Sequence, residues 1–214
     1  MGVSTQPVEV GSMRLEGLLV LPEGAAGLVI FAHGSGSSRL SPRNTRVAHA
    51  LNDAGLGTLL FDLLTETEAR DRANVFDIPL LGNRVAEAVE WASADTATAG
   101  LPLGLFGAST GAAAALVAAS ERPDDVQAVV SRGGRPDLAG PVLDRVRAAT
   151  LLIVGGADSG VIELNEQAFA RLACEKRLDI VPGATHLFEE PGALDQVVSA
   201  AGEWLLAHLD SKPA

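Results

Sequence analysis

Three residues have the types and the chain order that nucleophilic catalysis on an acyl group requires: Ser109, Asp158 and His186. A serine hydroxyl is a weak nucleophile unless an imidazole takes its proton, and the imidazole needs a carboxylate to fix its tautomer and stabilise its charged form. Each of the three follows a predicted strand, and active residues of parallel sheets gather at the carboxyl ends of strands. The sequence therefore predicts a Ser-His-Asp triad that works through an acyl-serine intermediate.

Ser109 is the central residue of a G-x-S-x-G motif at residues 107–111. An apolar run precedes the motif and an alanine-rich, helix-forming run follows it, which is the strand-turn-helix context that the motif requires. A sharp turn holds the nucleophile in a strained backbone conformation, so the residues two before and two after it must be small. Gly107 and Gly111 meet that demand, and the sequence predicts Ser109 as the nucleophile.

Asp158 and His186 each follow a later predicted strand, the first ending at Gly155 and the second spanning residues 177–181. The chain order Ser, Asp, His is the order expected when the nucleophile lies on a strand-to-helix turn. Both residues have a second interpretation. Asp158 could cap the helix that starts near Val161, and His186 could be an ordinary loop histidine.

The other three of the four histidines have simpler interpretations. His33 belongs to a glycine-rich turn, His49 is predicted on a helix surface, and His208 is predicted at a helix C-terminus, where a cation is favourable. Glu163 and Asp179 are reserve carboxylates, less well placed because one lies within a predicted helix and the other within a predicted strand.

A glycine-rich turn, residues 33–38, follows the apolar strand predicted at residues 27–32. Its small residues would let backbone N–H groups face a reacting carbonyl, so we predict an oxyanion loop with Ser35 as a donor. A dinucleotide fingerprint fits poorly, because Arg39 occupies the position of the last glycine and no suitably placed acidic residue follows.

Three loops are expected to shape the substrate pocket, at residues 39–44, 65–77 and 132–137. Gly36, Arg39 and Arg132 are candidate substrate contacts within or beside them. The two arginines could attract an acidic substrate, or they could be surface arginines, which is the simpler interpretation.

Motifs for metal and nucleotide sites are missing from the sequence. It contains no H-E-x-x-H and no C-x-x-C, its histidines are dispersed, and Gly111 is followed by Ala112 where a P-loop needs lysine. We expect neither a metal nor a cofactor.

Charge and composition favour a small-molecule substrate over a macromolecular partner. The net charge is −11 and the pI about 4.7, which disfavours nucleic acid because binding to it depends on a basic surface. The single cysteine, Cys174, fits a reducing compartment, and no run is long enough to span a bilayer. We expect a cytoplasmic protein, monomeric or homodimeric, that binds an ester or lactone and no membrane.

The alternation of strands and helices predicts an α/β fold in one domain, residues 1–214, with a mostly parallel central sheet and helices on both faces. An antiparallel pair is predicted first, at residues 8–10 and 13–21. Residues 65–77 are predicted as a solvated loop. Only the short segment 138–148 separates two later strands, which leaves no room for a large cap domain.

The chain resembles the α/β-hydrolase superfamily, and more narrowly its small, lid-less members grouped with dienelactone hydrolase. The motifs that carry the resemblance are residues 33–38, 107–111, 155–158 and 183–188. The resemblance implies Ser109 as nucleophile, His186 as base, Asp158 as orienting acid, and the backbone N–H groups of Ser35 and Thr110 as the oxyanion hole. It implies a carboxylic ester hydrolase.

One departure from the family pattern concerns the nucleophile. Dienelactone hydrolase proper uses a cysteine there, whereas this motif carries Ser109 and the only cysteine, Cys174, lies elsewhere. A serine esterase or lactonase is the expectation that follows. The alternative is a non-catalytic binding or scaffold protein that keeps the hydrolase fold, because fold does not imply function.

Overall fold

The structure, a computed structural model, describes residues 4–209, and within that range eight strands form one sheet. In chain order they are β1 (Thr5–Val10), β2 (Leu15–Val20), β3 (Leu28–Ala32), β4 (Gly57–Phe61), β5 (Leu103–Ala108), β6 (Val126–Arg132), β7 (Ala149–Gly155) and β8 (Lys176–Val181). Their order across the sheet is β1-β2-β4-β3-β5-β6-β7-β8.

β2 runs antiparallel to both of its neighbours in the sheet, and the six strands β3 to β8 are mutually parallel. β1 pairs with β2, and β2 with β4, in antiparallel register, while every pair from β4 to β8 is parallel. All residues of β3, β4, β5 and β7 are buried, so both faces of the central sheet are covered. Strands buried on both faces read as continuous apolar runs, which is why the sequence predicted them.

Six α-helices lie within the described residues: α1 (Pro42–Asp53), α2 (Arg72–Val75), α3 (Ile78–Ala94), α4 (Thr110–Glu121), α5 (Ser159–Arg171) and α6 (Ala193–His208). Apolar residues of α1 and α6 form the core on one face of the sheet, and those of α3, α4 and α5 form the core on the other. The predicted fold class, a mostly parallel sheet with helices on both faces, is confirmed.

Local differences from the prediction are confined to ends and loops. β1 begins at Thr5 rather than residue 8, and β2 begins at Leu15 rather than residue 13. The predicted loop 65–77 contains a 3₁₀ turn, Glu68–Arg70, and the one-turn helix α2. A segment of 3₁₀ structure, Pro136–Arg145, joins β6 to β7, where no large cap was expected. Between residues 4 and 209, no helix is long and apolar enough to cross a membrane.

Candidate active site

Ser109 lies on the turn between β5 and α4 with φ at +52° and ψ at −121°. A positive φ is strained for a residue with a side chain. The turn is possible because a Cβ on Gly107 would collide with the backbone of Ala112, and one on Gly111 with the carbonyl of Ala32. The strained strand-to-helix turn that the sequence predicts at Ser109 is present.

The structure brings Ser109, His186 and Asp158 into one chain of hydrogen bonds. Nε2 of His186 lies 3.3 Å from Oγ of Ser109, and Nδ1 lies 2.7 Å from Oδ2 of Asp158. A carboxylate can only accept, so in neutral His186 Nδ1–H donates to Asp158 and Nε2 accepts from the serine hydroxyl. The side chains of His186 and Asp158 are 36% and 19% exposed, so a substrate can reach the imidazole.

The side chain of Asp158 contacts His186 and does not cap α5. Asp158 stands at the N-cap position of α5, but its side chain makes no capping hydrogen bond and is directed to His186 instead. Its backbone carbonyl accepts from the N–H groups of Val161 and Ile162. Asp179, one reserve carboxylate, pairs with Arg177 at 2.9 Å.

The loop that carries His186 is held by contacts of Phe188 and Thr185 that the sequence did not predict. Phe188 is buried with φ at +54° and anchors the loop in the core on the α6 face. Hydrogen bonds from the side chain and backbone of Thr185 lower the pKa of Glu190. No sequence signal marks these contacts, because they depend on the path of the loop.

The two predicted oxyanion donors are neighbours. The backbone N–H of Ser35 donates to Oγ1 of Thr110 at 2.9 Å. Thr110 is the first residue of α4, so its own N–H has no intrahelical acceptor. The N–H of Ser35 thus lies beside the N-terminus of α4.

His33 fastens the oxyanion loop to the end of β4. Its Nδ1–H donates to the carbonyl of Gly34 at 3.0 Å, and its Nε2 accepts from the N–H of Leu63 at 3.1 Å. The second contact requires the neutral imidazole, because a protonated Nε2 could not accept. Burial lowers the pKa of His33 below 6.5 and outweighs the hydrogen bond to Gly34 and the charge of Asp62, which raise it. The prediction that His33 belongs to this turn is correct, and the predicted surface residue His49 is exposed.

A cavity of about 500 Å³ lies beside the oxyanion loop. Gly34, Ser35 and Gly36 form one wall, and residues of β2 and of the segment after β4 form the rest. Gly36 has φ at +69° and Arg39 also lines the cavity. The Arg39 guanidinium is ion-paired with both Asp62 and Glu16.

Arg132 is buried, so its interpretation as a surface arginine is wrong. It is 9% exposed, and Nη2 donates to Oδ1 of Asn44 at 3.2 Å. Nε and Nη1 are buried without a partner. Burial, with a smaller contribution from Arg43, lowers the pKa of Arg132 to about 10. It does not line the cavity beside the oxyanion loop.

Among residues 4–209, no three His, Cys, Asp or Glu side chains are placed to hold a metal ion.

Solved structures similar to this chain are α/β-hydrolases. A dienelactone hydrolase from Anabaena variabilis is 55% identical, with a TM-score of 0.93 over 97% of this chain and 98% of that one. A dienelactone hydrolase-like promiscuous phosphotriesterase from metagenomic libraries is 18% identical, with a TM-score of 0.78 over 97% and 99% of the two chains. Est1E from Butyrivibrio proteoclasticus is 17% identical, with a TM-score of 0.78 over 95% and 98%. The phosphotriesterase and Est1E share the fold of this chain.

Two curated proteins, from two strains of Mycobacterium tuberculosis, are 57% identical over 202 residues and are each named "putative phosphoribosyl transferase". The match covers 94% of this chain, which spans about half, 46%, of the length of those relatives. No protein-family model matches the chain.

Proposed function

This chain belongs to the dienelactone hydrolase family of α/β-hydrolases, and on that premise we propose that it hydrolyses carboxylic esters or lactones with Ser109 as nucleophile. The observation that supports this proposal is the hydrogen-bonded chain from Ser109 Oγ through His186 to Asp158. The similar protein from Anabaena variabilis is named a dienelactone hydrolase. A lactone is a cyclic ester, so that name agrees with ester hydrolysis.

In the acylation step, Oγ of Ser109 attacks the carbonyl carbon while Nε2 of His186 takes the hydroxyl proton. Asp158 stabilises the imidazolium through its bond to Nδ1–H. The carbonyl oxygen becomes an oxyanion that accepts from the backbone N–H groups of Ser35 and Thr110. When the bond to the alcohol breaks, His186 returns its proton to the leaving oxygen, and acyl-Ser109 remains.

In the deacylation step, water takes the place of the alcohol. His186 removes a proton from the water, the hydroxide adds to the acyl carbon, and the oxyanion forms again at Ser35 and Thr110. The intermediate then collapses, Ser109 Oγ regains the proton from His186, and the free acid leaves. The net reaction consumes one ester and one water and yields one alcohol and one acid.

Cys174 is remote from the proposed chemistry. It follows α5 on the way to β8, and its Sγ lies 3.7 Å from Oγ1 of Thr150, near the start of β7. Ser109, Asp158 and His186 instead follow the carboxyl ends of β5, β7 and β8. The position of Cys174 supports a serine rather than a cysteine as nucleophile.

Phosphoribosyl transfer is not proposed for this chain. The name of the two mycobacterial relatives refers to proteins of which the chain spans 46%, and the contacts of Ser109 support acyl transfer to water instead.

The test is the hydrolysis of p-nitrophenyl acetate by the wild type and by Ser109→Ala. We expect kcat/KM to fall by roughly 10⁴-fold or more because the nucleophile is lost. Ser199→Ala, at an exposed serine of α6 that bonds Glu203, is the matched control and should keep wild-type activity. Equal activity in the wild type and Ser109→Ala would exclude the proposed mechanism, and no activity in either would favour a non-catalytic binding protein.

A further inference from the structure

We propose that the cavity beside the oxyanion loop holds the acyl group of the substrate, and that it selects an uncharged, apolar acyl group over one that carries a carboxylate. This inference rests on the proposed function, because it assigns the two sides of the ester relative to Ser109. To the proposed ester hydrolysis it adds a substrate class, esters with an uncharged, apolar acyl group.

The order of the strands places the cavity and His186 on opposite sides of Ser109. Ser109 follows β5, and Asp158 and His186 follow β7 and β8, which lie to one side of β5 in the sheet. The cavity is formed by β2 and by the segments after β3 and β4, which lie on the other side.

The proton transfer then assigns the two sides of the ester. His186 must reach the leaving oxygen to protonate it, so the alcohol has to lie on the side of β6 to β8. The oxyanion points at Ser35 and Thr110, and the remaining substituent of the acyl carbon, its chain, extends toward β3 and β4. The cavity lies on that side of Ser109. Ser35 is part of its wall, and a Cβ built on the neighbouring wall residue Gly34 would lie 3.1 Å from Cβ of Ser109.

The inner surface of the cavity is apolar. Leu15, Leu63 and Leu81 are each 1–3% exposed and form its floor, while the half-buried Leu64 and Val75 line its sides. Removing apolar surface from water is favourable in proportion to the area removed. An alkyl or aryl chain entering the cavity therefore gains binding energy that a short acetyl group cannot.

The charged side chains that line the cavity are all ion-paired. Arg39 bridges Asp62 and Glu16, Arg14 pairs with Glu9 at 2.6 Å, and Glu66 pairs with Arg70 at 2.9 Å. The lining itself contains two arginines and three carboxylates. A carboxylate on the acyl chain would lose hydration on entering and would find no unpaired cation among these residues.

The first experiment compares two substrates whose acyl groups have the same number of carbons. We expect kcat/KM for p-nitrophenyl hexanoate to exceed that for mono-p-nitrophenyl adipate by roughly 100-fold, because the second acyl group carries a terminal carboxylate into the cavity. Hexanoate should also exceed acetate. A rate for the adipate ester equal to or above that for the hexanoate ester would overturn the inference.

The second experiment fills the cavity. Val75→Trp should lower kcat/KM for hexanoate at least about 10-fold while changing that for acetate less than about threefold, since only the longer chain reaches the new side chain. Ala69→Trp, at the exposed rim of the same cavity, is a second variant less able to disturb the core. Leu138→Trp, on an exposed side chain between β6 and β7, is the control and should change neither rate.

The results separate the inference from the proposed function. Acetate hydrolysis that depends on Ser109 supports the function whatever the acyl preference. With that activity present, unchanged hexanoate rates in both cavity variants, or an equal loss on acetate and hexanoate, would exclude the cavity as the acyl site. Selective loss on hexanoate would support it.

Discussion

Oδ2 of Asp158 accepts a hydrogen bond from Nδ1–H of His186 at 2.7 Å, although Asp158 stands at the N-cap position of α5, where its side chain could have bonded the helix. The carboxylate is thus committed to the imidazole and contributes no capping bond. Its role in the reaction and its role in stability can be separated by experiment.

Asp158→Asn should lower kcat/KM for esters by roughly 10³- to 10⁴-fold, because an amide can hold the imidazole in the wrong tautomer. The free energy of unfolding, measured in urea, should change by less than about 0.5 kcal/mol since no cap is lost. Asp77→Ala is the comparison. Asp77 does cap α3 by accepting from the N–H of Leu80 at 3.0 Å, and its loss should cost about 1 kcal/mol. Equal destabilisation by both variants would show that Asp158 is chiefly structural.

The neutral state of His33 predicts a loss of stability in mild acid. Its pKa in the folded protein lies below 6.5 because of burial. The unfolded chain has the ordinary histidine pKa of 6.5. As the pH falls from 6.5 toward the lower folded value, the unfolded chain takes up a proton that the folded protein resists. The free energy of unfolding therefore decreases, by at most about 1.4 kcal/mol per pH unit.

The measurement is urea unfolding of the wild type and His33→Gln at pH 7.5 and pH 5.5. The wild type should lose more stability between the two values than the variant, which lacks the titrating group. A larger loss in His33→Gln would contradict the assigned neutral imidazole.

The turn at Ser109 depends on Gly111. A Cβ there would collide with the carbonyl oxygens of Ala32 and His33, so Gly111→Ala should lower the free energy of unfolding by about 3 kcal/mol or more. Gly160→Ala is the matched control, because a Cβ at that position in α5 meets nothing within 4 Å. Alanine favours a helix over glycine, so this variant should gain about 0.5–1 kcal/mol. Similar stabilities for the two variants would show that the turn tolerates a side chain.

The buried guanidinium of Arg132 has two nitrogens without a partner and faces no carboxylate in the part of the chain that the structure describes. Replacing it with an apolar side chain of similar length removes a desolvated charge, so Arg132→Met should raise the free energy of unfolding by about 1 kcal/mol. Arg39→Met, which breaks ion pairs to Asp62 and Glu16, should lower it instead. A loss of stability in Arg132→Met would show that the charge is compensated in solution.

The sequence predicted the residues that follow strand ends and missed those placed by through-space contacts. The sequence predicted that Ser109, Asp158 and His186 lie close together because the carboxyl ends of parallel strands share one edge of a sheet, and the three side chains are in hydrogen-bond contact. Whether Asp158 capped α5 or faced His186 remained open, since both contacts start from the same position.

The cavity and its surroundings were less predictable. The one-turn helix α2 is too short for a hydrophobic period to show, so the wall around Val75 was expected to be a solvated loop. The ion pairs of Arg39 and the burial of Arg132 join residues far apart in sequence, and a single sequence carries no signal of such pairs.

Labelling with a fluorophosphonate probe tests whether Ser109 is a nucleophile activated by His186. The probe reacts covalently with activated serines, so peptide mass spectrometry of the labelled wild type should locate one adduct on Ser109. The adduct should be absent in Ser109→Ala and form far more slowly in His186→Gln. An unlabelled wild type, or labelling that persists in Ser109→Ala, would show that Ser109 is not an activated nucleophile.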